Sequence, residues 1–317
     1  MSFTPLMIKL IPSLLDDLTA RPAVVELGNQ TFDPTISGQL SKAEDLMLPR
    51  VLSFLDKRGK PFDRAQIEKL AALSPEQQKP HTATYFKALG FSDYTAIDVN
   101  ALYGSLIMDL NVDLGDTYGY TKTFDLVTNN GTGEHIFNQH AVFKNMHQLA
   151  AVGGVLLFVL PFYNWMNHGF FNFNPLLFTD LAAANDYEIV RIAVGCPVGQ
   201  EVAAREARVG DQEMRLPWQP DTDTLTIADF QTRGAIRPRT PRNMANAAFK
   251  VMVGRGDTVR QESKLPGVVE SLAERVPNIN VVAALRKKRD EPFRMPLQGM
   301  YSGSNVESAE LRKQYRA

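Results

Sequence analysis

The 317-residue sequence predicts a doubly wound α/β fold on a mostly parallel, seven-stranded sheet. Two observations carry that prediction. Short apolar or β-branched runs alternate with helical patterns through the first two thirds of the chain, as they do where helices connect parallel strands. The first run ends in glycine and the next two end at aspartates, residue types that an open parallel sheet presents to ligands at its carboxyl edge. Composition is compatible: hydrophobic residues make up 44% and charged residues 22%, an ordinary globular balance.

Residues 1–20 read as an amphipathic helix, with Leu10, Leu14, Leu15 and Leu18 at helical spacing. One early lysine and two aspartates make it a docked helix and not a signal peptide. The core is expected over 21–195. Its strands are Ala23–Leu27, Tyr94–Val99, Ser105–Leu110, Phe124–Thr128, Val155–Leu160 and Tyr187–Val194.

Between the first two strands lies a helical insertion at about 41–75, with patterns at Lys42–Asp56 and Asp63–Leu73. The crossover helix near Thr84–Leu89 follows it. After the fourth strand, Ile136, Val142, Phe143, Met146, Leu149 and Ala150 share one helical face, and Gly153 or Gly154 offers a left-handed stop. A further helix, Pro175–Ala184, follows Asn174 as its cap.

The segment 196–245, rich in Pro, Asp and charge, reads as a loop-rich insertion. Residues 246–317 hold the closing strand and tail. Ala247–Val253 and Ile279–Leu285 both qualify for that strand. The second is favoured because Val269–Arg275 is helical in pattern just before it.

The bulk properties exclude several classes of function. A net charge of −1 provides no basic field for nucleic acid or an anionic membrane, and Arg286–Arg289 reads as a solvated strand exit. One cysteine, Cys196, rules out an intrachain disulfide and a thiolate cluster. The most apolar run, Leu149–Phe162, holds Gly153, Gly154 and Pro161 and is too short to span a bilayer. The expectation is a soluble, cytoplasmic protein with no membrane or nucleic-acid partner; a monomer and a homo-oligomer both stay open.

Candidate site residues follow the strand ends. Glu26-Leu27-Gly28-Asn29-Gln30 closes the first strand, and Gly28 permits a tight turn. Its surroundings lack the G-x-G-x-x-G spacing of a dinucleotide site, which counts against a nicotinamide enzyme. Asp98 ends the second strand, where an acid is placed to accept hydrogen bonds from a ribose diol. Asp109-Leu110 ends the third. Asn129-Asn130-Gly131-Thr132-Gly133-Glu134-His135 follows the fourth.

Of the five histidines, His135 and His168 lie near strand ends and are the candidates for a general base. His135 is expected to open the next helix, whose N-terminus would favour the neutral imidazole. His140 and His147 fall inside that helix as surface or packing residues. The aromatic stretch from Phe162 to Phe173, interrupted by Asn and Gly, suits the wall of a small-molecule pocket. Glu134, His135 and His168 together could hold a metal, but their spacing is not a ligand motif, and no metal is expected.

In order, strand-Glu-Leu-Gly, strand-Ile-Asp, strand-Asp-Leu, Phe124–Thr128 and Glu134-His135 resemble the class I S-adenosylmethionine-dependent methyltransferases. The resemblance covers roughly residues 21–195 and the tail from Asn280, and it is similar to bacterial small-molecule or glycan-tailoring members. It implies a Rossmann-like methyltransferase fold with S-adenosylmethionine as cofactor and a hydroxyl or amine of a small molecule or glycan as acceptor.

By the same resemblance, Glu26, Gly28 and Asn29 line the cofactor loop, and Asp98 holds the ribose hydroxyls. Asp109 and Leu110 meet the adenine, and Asn129 or Asn130 lies beside the methionine part. The insertion after the first strand and the segment 196–241 would form lid and substrate wall. The chain departs from the family at its first loop, where Asn29-Gln30-Thr31 follows a single glycine. That departure motivates the alternative, a methyltransferase-fold binding or scaffolding protein without turnover.

Overall fold

The computed structural model describes residues 2–3, 5–32, 47–72, 81–163, 165, 167–195, 207–209, 212–214, 224–226 and 279–297. In chain order these form β1 (Ser2–Phe3), α1 (Pro5–Leu14), β2 (Ala23–Leu27), β3 (Thr31–Phe32), α2 (Met47–Arg58), α3 (Arg64–Ala71) and α4 (Ala83–Ala88). Next come β4 (Asp93–Asp98), β5 (Leu106–Ile107), α5 (Leu114–Tyr118), β6 (Phe124–Asn130), α6 (Gln139–Leu149), β7 (Ala150–Tyr163), α7 (Leu176–Asn185) and β8 (Glu188–Gly195). The short strands β9 (Ala207–Val209), β10 (Gln212–Met214) and β11 (Thr224–Thr226) precede β12 (Ile279–Arg286).

The main sheet runs β11-β8-β12-β7-β6-β2-β4-β5. β4, β2, β6 and β7 pair in parallel, with β5 parallel to β4 at one edge. β12 is antiparallel to both β7 and β8, so it is the one reversed strand of the seven. Short β11 adds an eighth at the edge, antiparallel to β8. This is the doubly wound, mostly parallel, Rossmann-like seven-stranded fold that the sequence predicts.

Each buried strand feeds two cores. In β7, Val155, Leu157 and Val159 enter one cluster and Leu156, Phe158 and Leu160 enter the other. The period of two in a strand requires that split, and a run apolar on both faces marks a strand covered by helices on both. α1 to α4 cover the first face through Ile11, Leu14, Leu55, Leu70 and Phe86. α5, α6 and α7 cover the second through Leu114, Met146 and Phe178.

Several local expectations change. The described helices of the insertion, α2 and α3, bury Val51, Leu52, Leu55, Ile67 and Leu70 in the first core. The Asp63 N–H donates to the Ala88 carbonyl at 2.8 Å, which ties α3 to the approach to β4. These helices are therefore a packed layer near the amino ends of the strands, not a lid over the carboxyl ends.

Nor do the glycines stop α6. The helix ends at Leu149, and its cap residue Ala150 is already extended and begins β7. Gly153 takes φ +84 within the strand, and a Cβ on Gly154 would lie 2.8 Å from the Phe124 carbonyl oxygen. The two glycines serve the irregular register between β6 and β7.

The cap position of α7 is Pro175, not Asn174, whose Oδ1 accepts from the Leu176 N–H at 2.9 Å just ahead of the helix. Of the two closing-strand candidates, β12 occupies 279–286; Ala247–Val253 and Val269–Arg275 lie outside the described residues. No described helix is long and apolar enough to cross a membrane.

Candidate active site

The chain winds outward from β2 through β4 to β5, then returns to β6 and β7. The order reverses between β2 and β6, and the crevice beyond their carboxyl ends is where such a sheet binds ligands. Most of the buried side-chain polar atoms that lack a hydrogen-bond partner among the described residues gather there. They include Glu26 Oε1, Asn29 Oδ1, Gln30 Oε1, Thr128 Oγ1, Asn129 Nδ2 and both Glu134 carboxylate oxygens. Buried polar groups are normally paired, so this concentration marks a place built to meet something else.

The first loop is fixed from both sides. Gly28 takes φ +78, and its N–H donates to the Ile97 carbonyl at 2.8 Å. The group that approaches its Cα is Thr132, whose Oγ1 would lie 2.2 Å from a Cβ at that position and donates to the Leu27 carbonyl at 2.7 Å. Asn29 then turns its backbone N–H to Asp98 Oδ2 at 2.8 Å, and Asn100 Nδ2 donates to Asp98 Oδ1 at 2.8 Å. Asp98 is thus held beside the first loop, with its carboxylate partly open.

Asp109 accepts on Oδ1 from the Asn111 N–H at 2.8 Å and from Asn111 Nδ2 at 2.9 Å, so it shapes its own turn. Leu110 is buried in the second core beside Ile97 and Leu114. Asn129 is fully buried, with Oδ1 receiving the Gly133 N–H at 2.8 Å. Asn130 is buried too, and its carbonyl accepts from Gln30 Nε2 at 2.9 Å, joining the two central loops.

Glu26 faces the first core. It receives the Thr82 and Tyr94 hydroxyls on Oε2, each at 2.5 Å. Burial pushes its carboxyl up to about 7, with the two hydroxyls opposing that shift. Neither Thr82 nor Tyr94 carries a sequence signal, since both reach Glu26 from distant positions. Gln30 and Thr132 both lie in the strand-end segments read from sequence, but nothing in the sequence gives either a role.

The two histidines come together. His135 and His168 place their rings 5.0 Å apart, and each turns Nε2 toward Glu134 Oε1, at 3.8 and 3.4 Å. Glu134 is 0% exposed, and burial pushes its carboxyl up to about 7. His135 does not open the helix as expected. It closes a 3₁₀ turn, Gly133–His135, and α6 begins at Gln139 under the Asn138 cap, whose Oδ1 accepts from the Ala141 N–H at 3.2 Å. Its imidazole lies below the ordinary histidine value because of burial first and the neighbouring His168 second, not because of a helix N-terminus. Burial also lowers His168.

His147 is buried as a packing residue, with Nδ1 2.5 Å from the Tyr187 hydroxyl. His140 is exposed.

The aromatic stretch divides. Phe173 is buried in the second core, whereas Phe170 is 68% exposed. Phe170 meets Phe137, itself 74% exposed, edge to face at 6.0 Å. The Phe170 N–H donates to the Glu134 carbonyl at 2.8 Å, so this apolar lip is anchored to the carboxylate's own backbone. Two cavities, of about 530 and 460 Å³, lie away from this edge. One is lined by Pro22, Arg58 and Phe91 near the amino ends, the other by His81, Tyr103 and Tyr120 beside β4 and β5. Neither contains Asp98 or Glu134.

No family model matches the sequence, and no curated protein shows significant similarity to it. A solved S-adenosylmethionine-dependent methyltransferase from Mesorhizobium loti is similar at 14% identity and a TM-score of 0.29, covering 87% of this chain and 96% of that one. The solved MccD protein is similar at 10% identity and a TM-score of 0.30, covering 90% of this chain and 99% of that one. Neither likeness adds to what the strand order shows.

Proposed function

We propose that this chain transfers a methyl group from S-adenosylmethionine to a hydroxyl or amine of a small molecule or glycan. The observation that carries the reading is the Asn29–Asp98 contact at the switch point, which sets a carboxylate beside the first loop. Asp98 would hold the ribose hydroxyls, with Glu26, Gly28 and Asn29 lining the loop and Asp109 and Leu110 on the adenine side. Asn129 and Asn130 would flank the methionine part. The unpartnered atoms fit an amino-acid tail: Gln30 Oε1 and Glu26 Oε1 are acceptors for an ammonium, and Asn129 Nδ2 is a donor for a carboxylate.

The cofactor, when bound, supplies an activated methyl group on a sulfonium. The chain's part is then to align the acceptor, exclude water and take a proton from the acceptor. The exposed rings of Phe137 and Phe170 offer an apolar surface for the acceptor beside Glu134. His135 and His168, both drawn below the ordinary histidine value by partial desolvation, are the groups that would receive the proton at Nε2.

Calorimetric titration with S-adenosylmethionine and S-adenosylhomocysteine tests this reading. Asp98→Ala should remove charge-assisted hydrogen bonds worth about 1.5–3 kcal/mol and weaken binding at least about tenfold. Unchanged affinity in a folded variant would remove Asp98 from the site. Stabilisation by NAD but not by S-adenosylhomocysteine would reverse the choice of cofactor. A second reading, a binding protein without turnover, is favoured by Thr132 filling the space over Gly28. Cofactor binding without methylation of any hydroxyl or amine acceptor in a broad panel would support it.

A further inference from the structure

We propose that Glu134, His135 and His168 form a mononuclear site for a divalent first-row transition metal, with zinc as its simplest occupant. The three offer one carboxylate oxygen and one ring nitrogen from each imidazole, all within 4.8 Å of one another. A tetrahedral ion with bonds near 2.1 Å spaces its ligands about 3.4 Å apart. His168 Nε2 already lies 3.4 Å from Glu134 Oε1, and His135 Nε2, at 3.8 Å, needs a shift of a few tenths of an ångström toward that oxygen, while the two imidazole nitrogens, within 4.8 Å of each other, close to the same spacing by side-chain rotation.

The carboxylate gives the independent reason to expect a cation. Glu134 is 0% exposed, and among the described residues no other residue gives either of its oxygens a hydrogen bond. A buried carboxylate without donors is costly, and a bound cation in front of it removes that cost. Two nitrogens and one oxygen suit zinc, iron or cobalt better than magnesium, which prefers oxygen ligands and keeps its water.

The surroundings hold the three donors in place. Gly169 lets its loop pass so close that a Cβ there would lie 2.8 Å from Glu134 Cγ and 2.9 Å from the Glu134 carbonyl oxygen. Trp165 lays its ring against His168 with centroids 4.6 Å apart, and its Nε1 donates to the Ile279 carbonyl at 3.2 Å. Both histidines are exposed while the glutamate is not, so the ion would sit with protein behind it and an open coordination position toward solvent and the Phe137–Phe170 lip. Three protein ligands with one open position are the pattern of a catalytic site, not a structural one.

The metal site itself stands on this geometry alone. Its role rests on the methyl-transfer reading: an acceptor hydroxyl held at the open position would lose its proton to water more readily, its oxygen keeping the electron pair. In the loaded site the two imidazoles are ligands, and the role of free base passes from them to the solvent.

The experiment uses the full chain, stripped with a chelator and dialysed, then titrated calorimetrically with zinc chloride and separately with magnesium chloride. One zinc per chain is expected, with magnesium binding much more weakly. His135→Ala and His168→Ala should each lower zinc affinity at least about 100-fold, since even partners behind the ligands are worth 10–100-fold. Both side chains are exposed, so these variants should keep the parent's metal-free circular dichroism; His140→Ala should bind zinc as the parent does. Cobalt(II) provides a spectroscopic check, with visible bands of a low-coordinate site in the parent and their loss in the two variants.

No zinc binding by the parent, or binding unchanged in both histidine variants, overturns the proposal and leaves a plain carboxyl–imidazole cluster. Zinc binding without S-adenosylhomocysteine binding keeps the metal site and removes the methyl-transfer reading. The converse keeps the methyl-transfer reading and removes the metal.

Discussion

Glu26 lies near the end of β2 against the first core, and Glu134 lies just past β6 at the carboxyl edge of the sheet. Both side chains are 0% exposed, and burial pushes both carboxyls up to about 7. Their partners differ. Glu26 receives two hydroxyls, both on Oε2 with Oε1 left unpartnered among the described residues, and the second, from Tyr94, in turn meets His81 Nε2 at 3.2 Å. Glu134 receives no hydrogen bond from another described residue and faces two imidazoles. The same loss of water therefore leaves one acid tied into the scaffold between β2, α4 and β4, and the other uncompensated at the mouth of the sheet. Burial sets the cost of a carboxylate, and the donors around it decide whether the protein itself meets that cost.

The largest expected effect separates the two acids by activity. If the Glu134 cluster handles the acceptor's proton, directly or through an ion, His135→Ala or His168→Ala should lower turnover by roughly 10²–10⁴. S-adenosylhomocysteine affinity should hold, because neither ring belongs to the cofactor loop. Loss of packing alone would lower the melting temperature and leave turnover intact. Steady-state rates with any accepted substrate decide between these outcomes.

The next effect concerns Glu26 and stability. Its carboxyl rises from 4.5 to about 7 on folding, so the native chain holds a proton that the unfolded chain has released. The stability linked to that proton is complete below pH 4.5 and is lost as pH rises toward 7, a penalty of about 3 kcal/mol at pH 8. Glu26→Gln keeps an acceptor for both hydroxyls and carries no charge. The variant should gain on the parent at pH 8 and not at pH 4, as read from urea midpoints across the range. Parallel pH profiles for the two proteins would show that Glu26 is not held protonated.

The contrast between these acids was not legible in the sequence, although the scaffold around them was. The strand Ala23–Leu27 matches β2 residue for residue, because a β-branched run bounded by Pro22 and Gly28 has sharp ends. The predicted Ser105–Leu110 shrank to Leu106–Ile107. It is an edge strand with Ile107 63% exposed, and Asp109 folds onto Asn111 directly afterwards. Asp98 and His168 were named from their places at strand ends, which the topology alone decides. Glu26 was placed beside a cofactor, but its partners Thr82 and Tyr94 lie 56 and 68 residues away, beyond the reach of any local pattern. Glu134 and His168 follow different strands, and only the parallel β6–β7 pairing brings them to one edge.

A smaller effect tests how firmly the Glu134 side is built. In Gly169→Ala the new methyl meets Glu134 Cγ at 2.8 Å and the Glu134 backbone oxygen at 2.9 Å, and the backbone contact cannot yield by a rotamer change. Overpacking of this kind costs about 1–3 kcal/mol. The loop carrying His168 should move away from Glu134, so zinc affinity should fall while Asp98-dependent cofactor binding is kept. Stability and zinc affinity equal to the parent's would mean that the Glu134–Gly169 contact does not hold the site together.

The smallest effect lies on the Glu26 side and fixes the sign of its network. Tyr94→Phe removes one of the two donors to Glu26 Oε2 and leaves Thr82 as the other. The net loss for one such bond is about 0.5–1.5 kcal/mol, and it is larger when the acceptor is charged. The Tyr94 hydroxyl lowers the Glu26 carboxyl against the push of burial, so its removal should raise that carboxyl further above the ordinary range. Tyr94→Phe should therefore cost more at pH 8, where the parent's carboxylate is mostly charged, than at pH 5, where it is neutral. Thr82→Ser, which keeps its hydroxyl, should show no such pH dependence. Urea unfolding of both variants at the two pH values measures this directly. A Tyr94→Phe cost equal at pH 5 and pH 8 would mean that the hydroxyl spends its hydrogen on a group other than Glu26, and the two buried acids would then be more alike than their hydrogen bonds indicate.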